Sequence, residues 1–92
     1  MKKIPRRDKL KIYGDLLSII YNEASYEKIV LSRIQVKANV PFDRLKSYIA
    51  ELEGLGLVQQ EPRLRLTEKG KQYLMEYEKV LEFMKRMGLA YL

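Results

Sequence analysis

The 92-residue chain contains no cysteine and no histidine. Disulfide staples and cysteine-based metal sites are therefore excluded, and so are thiol and imidazole catalysis. No apolar run approaches the roughly 20 residues that a bilayer crossing requires. The amino terminus, MKKIPRRDKLK, is basic, but it lacks an uninterrupted apolar stretch and a small-residue cleavage site, so it does not read as a secretory signal. These absences point to an intracellular, cytoplasmic protein. A chain of this length makes one small domain with a modest core, and small domains without staples often gain stability from a partner copy. The lack of Cys and His beside many Lys, Arg, Glu and Tyr fits a thermophilic source.

Hydrophobic residues make up 47% of the chain and charged ones 33%, which is the composition of a folded, soluble domain. The net charge of +6 is unevenly placed. Residues 1–11 carry six basic groups against Asp8, and residues 12–27 are net −3. Residues 28–71 hold nine basic and five acidic groups, and residues 72–92 balance at three each. A positive field on the amino-terminal arm and the middle third favours a polyanionic partner.

Leu10, Tyr13, Leu16, Leu17 and Ile20 recur at helical spacing, which predicts a first helix over residues 8–22 with Asp8 as its N-cap. Ile29, Val30 and Leu31 read as a brief extended segment. Ser32 then caps a short helix over residues 33–39, with Ile34 and Ala38 inward. Proline lacks an amide and is tolerated only in a first turn, so Pro41 opens a new helix over residues 41–54. Phe42, Leu45, Tyr48, Ile49 and Leu52 form its inner stripe, and Gly54 and Gly56 end it. Two short strands follow, residues 57–60 and 63–67, turning at Glu61-Pro62. In the second strand Leu64 and Leu66 share one face and Arg63 and Arg65 the other. Thr67 caps a last helix over about residues 68–89, about 33 Å long at 1.5 Å per residue. Gly70 in its first turn costs about 1 kcal/mol against alanine, which close packing against the first helix would offset.

The order is mainly α with a small β-hairpin: helix-turn-helix, then hairpin, which is the winged helix-turn-helix arrangement, plus a long carboxy-terminal helix. Residues 1–67 form the head with its basic arm, and residues 68–92 the terminal helix.

Little here could support catalysis. Ser18, Ser25, Ser32 and Ser47 have no histidine to activate them. Glu51 and Glu53 do not face each other on a helix, and Glu78 and Glu82 sit among Lys79, Lys85 and Arg86 as on a solvated face. The Gly-Leu-Gly at 54–56 is better explained as a helix end than as a phosphate loop. The sequence therefore indicates neither an enzyme nor a cofactor.

Nucleic-acid binding has more support. With the apolar stripe inward, the 41–54 helix turns Asp43, Arg44, Lys46, Ser47 and Ala50 outward. Arg44, Lys46 and Ser47 lie in its first two turns, where a recognition helix meets base edges and phosphates. Arg63 and Arg65 read either as a wing over the DNA backbone or as charges protecting a sheet edge. The arm with Lys2, Lys3, Arg6, Arg7, Lys9 and Lys11 reads either as a phosphate clamp or as a basic tail. Lys28, Arg33 and Lys37 can reach backbone from the helix-turn-helix entry. A winged helix that binds another protein is the competing class.

On the last helix Tyr73, Leu74, Tyr77, Val80, Leu81, Met84, Met87 and Tyr91 step by threes and fours. This band is wider than one neighbour needs and suits a two-stranded coiled coil. The alternative is a helix folded wholly back onto its own domain.

Three segments, RRDKLKIYGDLLSII, LSRIQVKANVPFDRLKSYIAELEGLGLV and LRLTEKGKQYLMEYEKVLEF, carry a resemblance across nearly the whole chain. With KAN, L-x-x-Y-x-x-x-L, GLV and LTEKG in this order, the sequence resembles the small archaeal winged-helix proteins associated with chromosomal DNA, which dimerise through an antiparallel carboxy-terminal coiled coil. The resemblance implies a homodimer with a double-stranded-DNA-binding head at each end of a rod, located at the nucleoid. It implies that Arg44, Lys46 and Ser47 contact DNA and that Arg63 and Arg65 belong to the wing. It departs at Pro41-Phe42, where that family tends to have Ser-Tyr, and in the shortness of the wing.

Overall fold

The computed structural model describes residues 5–24 and 30–89. The elements are α1 (Pro5–Glu23), α2 (Leu31–Ala38), α3 (Phe42–Gly54), β1 (Val58–Gln59), β2 (Arg65–Leu66) and α4 (Glu68–Arg86). The mainly helical architecture, with one hairpin and a long last helix, is the one the sequence predicts.

Three helix starts differ from expectation, one of them at Pro41, which is the N-cap of α3 and not its first residue. The first helix begins at Pro5, so Asp8 lies within it and is not its N-cap. Proline's fixed φ and missing amide suit a first turn, which lets the helix start earlier. The second begins at Leu31 with the extended Val30 as its cap residue and no side-chain cap, so Ser32 sits inside the first turn. Leu31 is half-buried and packs on the core, which draws it into the helix. Ile29 lies outside the described residues.

The turn between α2 and α3 is three residues long. Asn39 takes the left-handed conformation at φ 58°, and its amide donates to the Gln35 carbonyl. Asn is among the few non-glycine residues that visit this region routinely. Pro41 is extended and forms the N-cap of α3, whose first bond runs from the Leu45 amide to the Pro41 carbonyl at 2.9 Å. Leu45, Ile49 and Leu52 are buried. Phe42 departs from the expected inner stripe, with 41% of its surface exposed. It shares the side of Ile49 but sits two turns earlier, about 10 Å along the axis and past the edge of the core.

The end of α3 is closed by paired bonds, Leu57 amide to Leu52 carbonyl and Gly56 amide to Glu53 carbonyl, both 2.9 Å. Gly56 supplies the required positive φ of 80°. The hairpin is shorter than expected, with Val58 opposite Leu66 and Gln59 opposite Arg65. Thr67 caps α4 as the sequence predicts. Its hydroxyl accepts from the Gly70 amide at 3.0 Å and donates to the Gly56 carbonyl at 2.6 Å. The cap therefore also ties α4 to the loop after α3.

The core gathers Leu16, Leu17 and Ile20 of α1, Ile34 of α2, the three buried residues of α3, Leu57, Val58, Leu66 and Leu74. Two glycines set how closely the elements approach. Gly70 packs against the hairpin entry rather than α1: a methyl group there would lie 2.0 Å from the Leu57 carbonyl oxygen. Gly14 makes the contact between α1 and α4 instead, beneath the Tyr77 ring. The α4 helix spans 19 residues, about 28 Å, and ends earlier than expected. Gly88 turns left-handed at φ 74° and directs the Leu89 amide back to the Met84 carbonyl at 2.8 Å.

Candidate nucleic-acid interface

The outward surface of α3 comprises Asp43, Arg44, Lys46, Ser47 and Ala50, all exposed. At about 100° per residue, Asp43, Ser47 and Ala50 occupy the middle of that face. Arg44 lies on one flank, with Phe42 and Lys46 on the other. The Lys46 ammonium stands 5.6 Å from the Phe42 ring centroid, within cation–π range. Glu53, on the same flank as Lys46, accepts from Gln60 at 2.8 Å, so this flank leads toward the hairpin.

The Arg44 flank leads toward α1. Glu51, two turns beyond Arg44, accepts from Lys9 at 3.0 Å and from the Tyr13 hydroxyl. These two donors hold the Glu51 carboxyl below its usual range, the tyrosine bond contributing most. The bond from Lys9 to Glu51 raises the Lys9 pKa, while burial is the main cause that raises Tyr13. Lys9, read from the sequence as part of the arm, therefore joins α1 to the Arg44 flank of α3. Arg6 and Arg7 fall in the first turn of α1, and their side chains lie outside the described residues.

Arg33 and Lys37 converge on Glu23, which is fully buried at the end of α1. Lys37 lies 2.7 Å from Oε2 and Arg33 3.3 Å from Oε1, and both cations remain about half-exposed. Two charges meet one carboxylate, so the group still presents net positive charge at the surface of α2. Glu23 is absent from the sequence-based site residues. The signal for it was its phase, since it continues the buried series Leu16, Ile20 by a further step of three.

On the hairpin Arg63 is exposed. Arg65 donates to the carbonyls of Glu61 and Arg63, each at 3.2 Å, and to Gln59 Oε1 at 2.5 Å. These bonds brace the loop from within and hold Arg65 half-buried.

The apolar band of α4 divides along its length. Leu74 and Tyr77 are buried against the head. The Tyr77 hydroxyl bonds Asp15 at 3.2 Å, and the half-buried Tyr73 donates to the Leu10 carbonyl at 3.1 Å. Further along, Val80 and Met87 are exposed, while Leu81 and Met84 are half-buried. Met75, Phe83 and Leu89 are also exposed, outside the band that the sequence predicts. Tyr91 lies outside the described residues.

Among the described residues no cluster of acidic side chains could hold a metal ion, and no helix is long and apolar enough to cross a membrane. The family model for winged helix-turn-helix proteins matches residues 6–85. No match to a curated protein is found.

Proposed function

The chain belongs to the winged helix-turn-helix family, and on that premise we propose that it binds double-stranded DNA as a non-enzymatic homodimer. The observation that carries the DNA reading is the exposed polar face of α3, with Arg44, Lys46 and Ser47 in its first two turns. This helix enters the major groove, where arginine can grip guanine through two hydrogen bonds and lysine can neutralise phosphate. Arg63 and the α1 terminus with Arg6 and Arg7 follow the backbone to either side. Arg33 and Lys37 add a surface charge that is already oriented by Glu23. A face built to bind another protein would be more apolar at its centre, where Asp43 and Ser47 stand with the small Ala50.

Most of the affinity comes from phosphates, so binding to a duplex should weaken steeply as salt rises. Arg44→Ala with Lys46→Ala should lower affinity at least tenfold and flatten the salt slope by about one for each phosphate no longer neutralised. Titrations at several salt concentrations check this. Binding that is absent at low salt, or indifferent to salt, refutes the DNA reading.

Dimerisation rests on the part of α4 beyond Tyr77. Leu74 and Tyr77 complete the head, which leaves Val80, Leu81, Met84 and Met87 for the equivalent helix of a second copy. A groove of about 460 Å³ lined by Leu10, Tyr73, Tyr77 and Val80 continues that surface toward α1. Light scattering should give twice the 10.9 kDa chain mass for the intact protein and a monomer after truncation beyond Tyr77. A monomeric intact protein removes the dimer from the proposal. The role is that of a nucleoid-associated architectural protein or a transcriptional regulator, in keeping with the likeness to small archaeal chromatin proteins.

A further inference from the structure

The first turn of α3 contains a group that phosphate binding does not use. Phe42 is 41% exposed although it follows the N-cap of a helix whose other large apolar residues, Leu45, Ile49 and Leu52, are buried. An exposed aromatic ring loses free energy to water in proportion to its uncovered area. Here its neighbour on the same flank of α3 is Lys46, whose ammonium stands 5.6 Å from the ring centroid. Whatever covers the ring must therefore offer an apolar group with negative charge close by. An apolar protein surface meets the first requirement and leaves Lys46 to be desolvated without a partner.

A DNA major groove meets both requirements. Its walls are phosphates, and the 5-methyl of thymine is the apolar group that base edges present there. The amino-terminal turn of a recognition helix is the part that approaches base edges. We propose that Phe42 is a specificity-determining residue that reads thymine, with its ring against the 5-methyl while Lys46 answers the neighbouring phosphate. The proposal rests on the DNA-binding reading and adds to it a chemical preference that the charged residues of α3 do not supply.

Deoxyuridine differs from thymidine by that methyl alone. The test compares a short alternating adenine–thymine duplex with the same duplex carrying deoxyuridine throughout, at one fixed low salt concentration. The wild-type protein should bind the thymine duplex about fourfold more tightly, the worth of one buried methyl-sized group. Phe42→Ala should bring the two affinities together, and circular dichroism should report an unchanged helical fold. Phe42→Leu, which keeps an apolar tip, should hold the ratio above one.

Equal wild-type affinity for the two duplexes overturns the proposal while DNA binding stands. A thymine preference that survives in Phe42→Ala also overturns it, because another group then reads the methyl. If neither duplex binds, the inference fails together with the DNA reading, which distinguishes that outcome from the other two.

Discussion

Gly70→Ala is expected to destabilise the protein by about 2 kcal/mol net, although alanine is the better helix former. The propensity gain is about 1 kcal/mol. Against it, the new methyl would stand 2.0 Å from the Leu57 carbonyl oxygen, 3.0 Å from its carbonyl carbon and 3.3 Å from Leu66 Cγ. The carbonyl cannot simply swing aside, because it accepts from the Thr67 amide at 3.0 Å. Leu57 is itself held by the bond from its amide to Leu52. Relief would require α4 to lift from the hairpin, breaking the Thr67 cap as it moves. Overpacking of a tight contact typically costs 1–3 kcal/mol, sometimes more, a large share of the roughly 5–15 kcal/mol that holds a small domain together. Urea denaturation of Gly70→Ala beside Gly54→Ala makes the comparison, since a methyl at Gly54 meets nothing within 4 Å. Gly54→Ala should be neutral or slightly stabilising. Equal stability for the two variants would refute the close approach at Gly70.

The second large effect is expected from Arg33→Ala combined with Lys37→Ala. Removing both cations leaves the buried Glu23 carboxylate with no ion-pair partner among the described residues. Stranding a buried charge in this way costs about 3–5 kcal/mol. Each single substitution should cost much less, because Glu23 keeps one partner, so the double variant should exceed the sum of the singles. Adding Glu23→Leu to the double variant should restore much of the stability, since the buried charge is then gone. Thermal or urea unfolding of the four variants checks the pattern. A double variant as stable as the parent would mean that the two cations act only at the surface. The consequence for DNA-binding experiments is practical: a loss of affinity in Arg33 or Lys37 variants must be separated from a loss of folding.

The helices are legible because their apolar residues repeat at a period that only a helix turns to one side. Thr67 is legible as a cap because a hydroxyl immediately before a helical repeat has a local role, receiving the Gly70 amide three residues on. The outward set on α3 can be read for the same reason, once Leu45, Ile49 and Leu52 are assigned inward. Phe42 and Arg65 show where this reasoning stops. Periodicity gives the direction in which Phe42 points, not how far along the axis the core extends. Alternation puts Arg63 and Arg65 on one face, but not that Arg65 folds back onto Gln59 and two carbonyls.

The sequence by itself therefore determined the elements, their order, the hairpin, the cap of the last helix and the polar face of α3, because each depends on residues within a few positions of one another. The tertiary structure alone decided which groups stay available at the surface. Lys37 reaches Glu23 across 14 positions and Tyr13 reaches Glu51 across 38. The Gly70 contact with Leu57 likewise depends on how α4 crosses the hairpin. Such pairings follow from the angles at which helices pack, and those angles are set by the whole core at once rather than by any local run of residues. Packing also divided the apolar band of α4, burying Leu74 and Tyr77 in the head while Val80 and Met87 remain exposed.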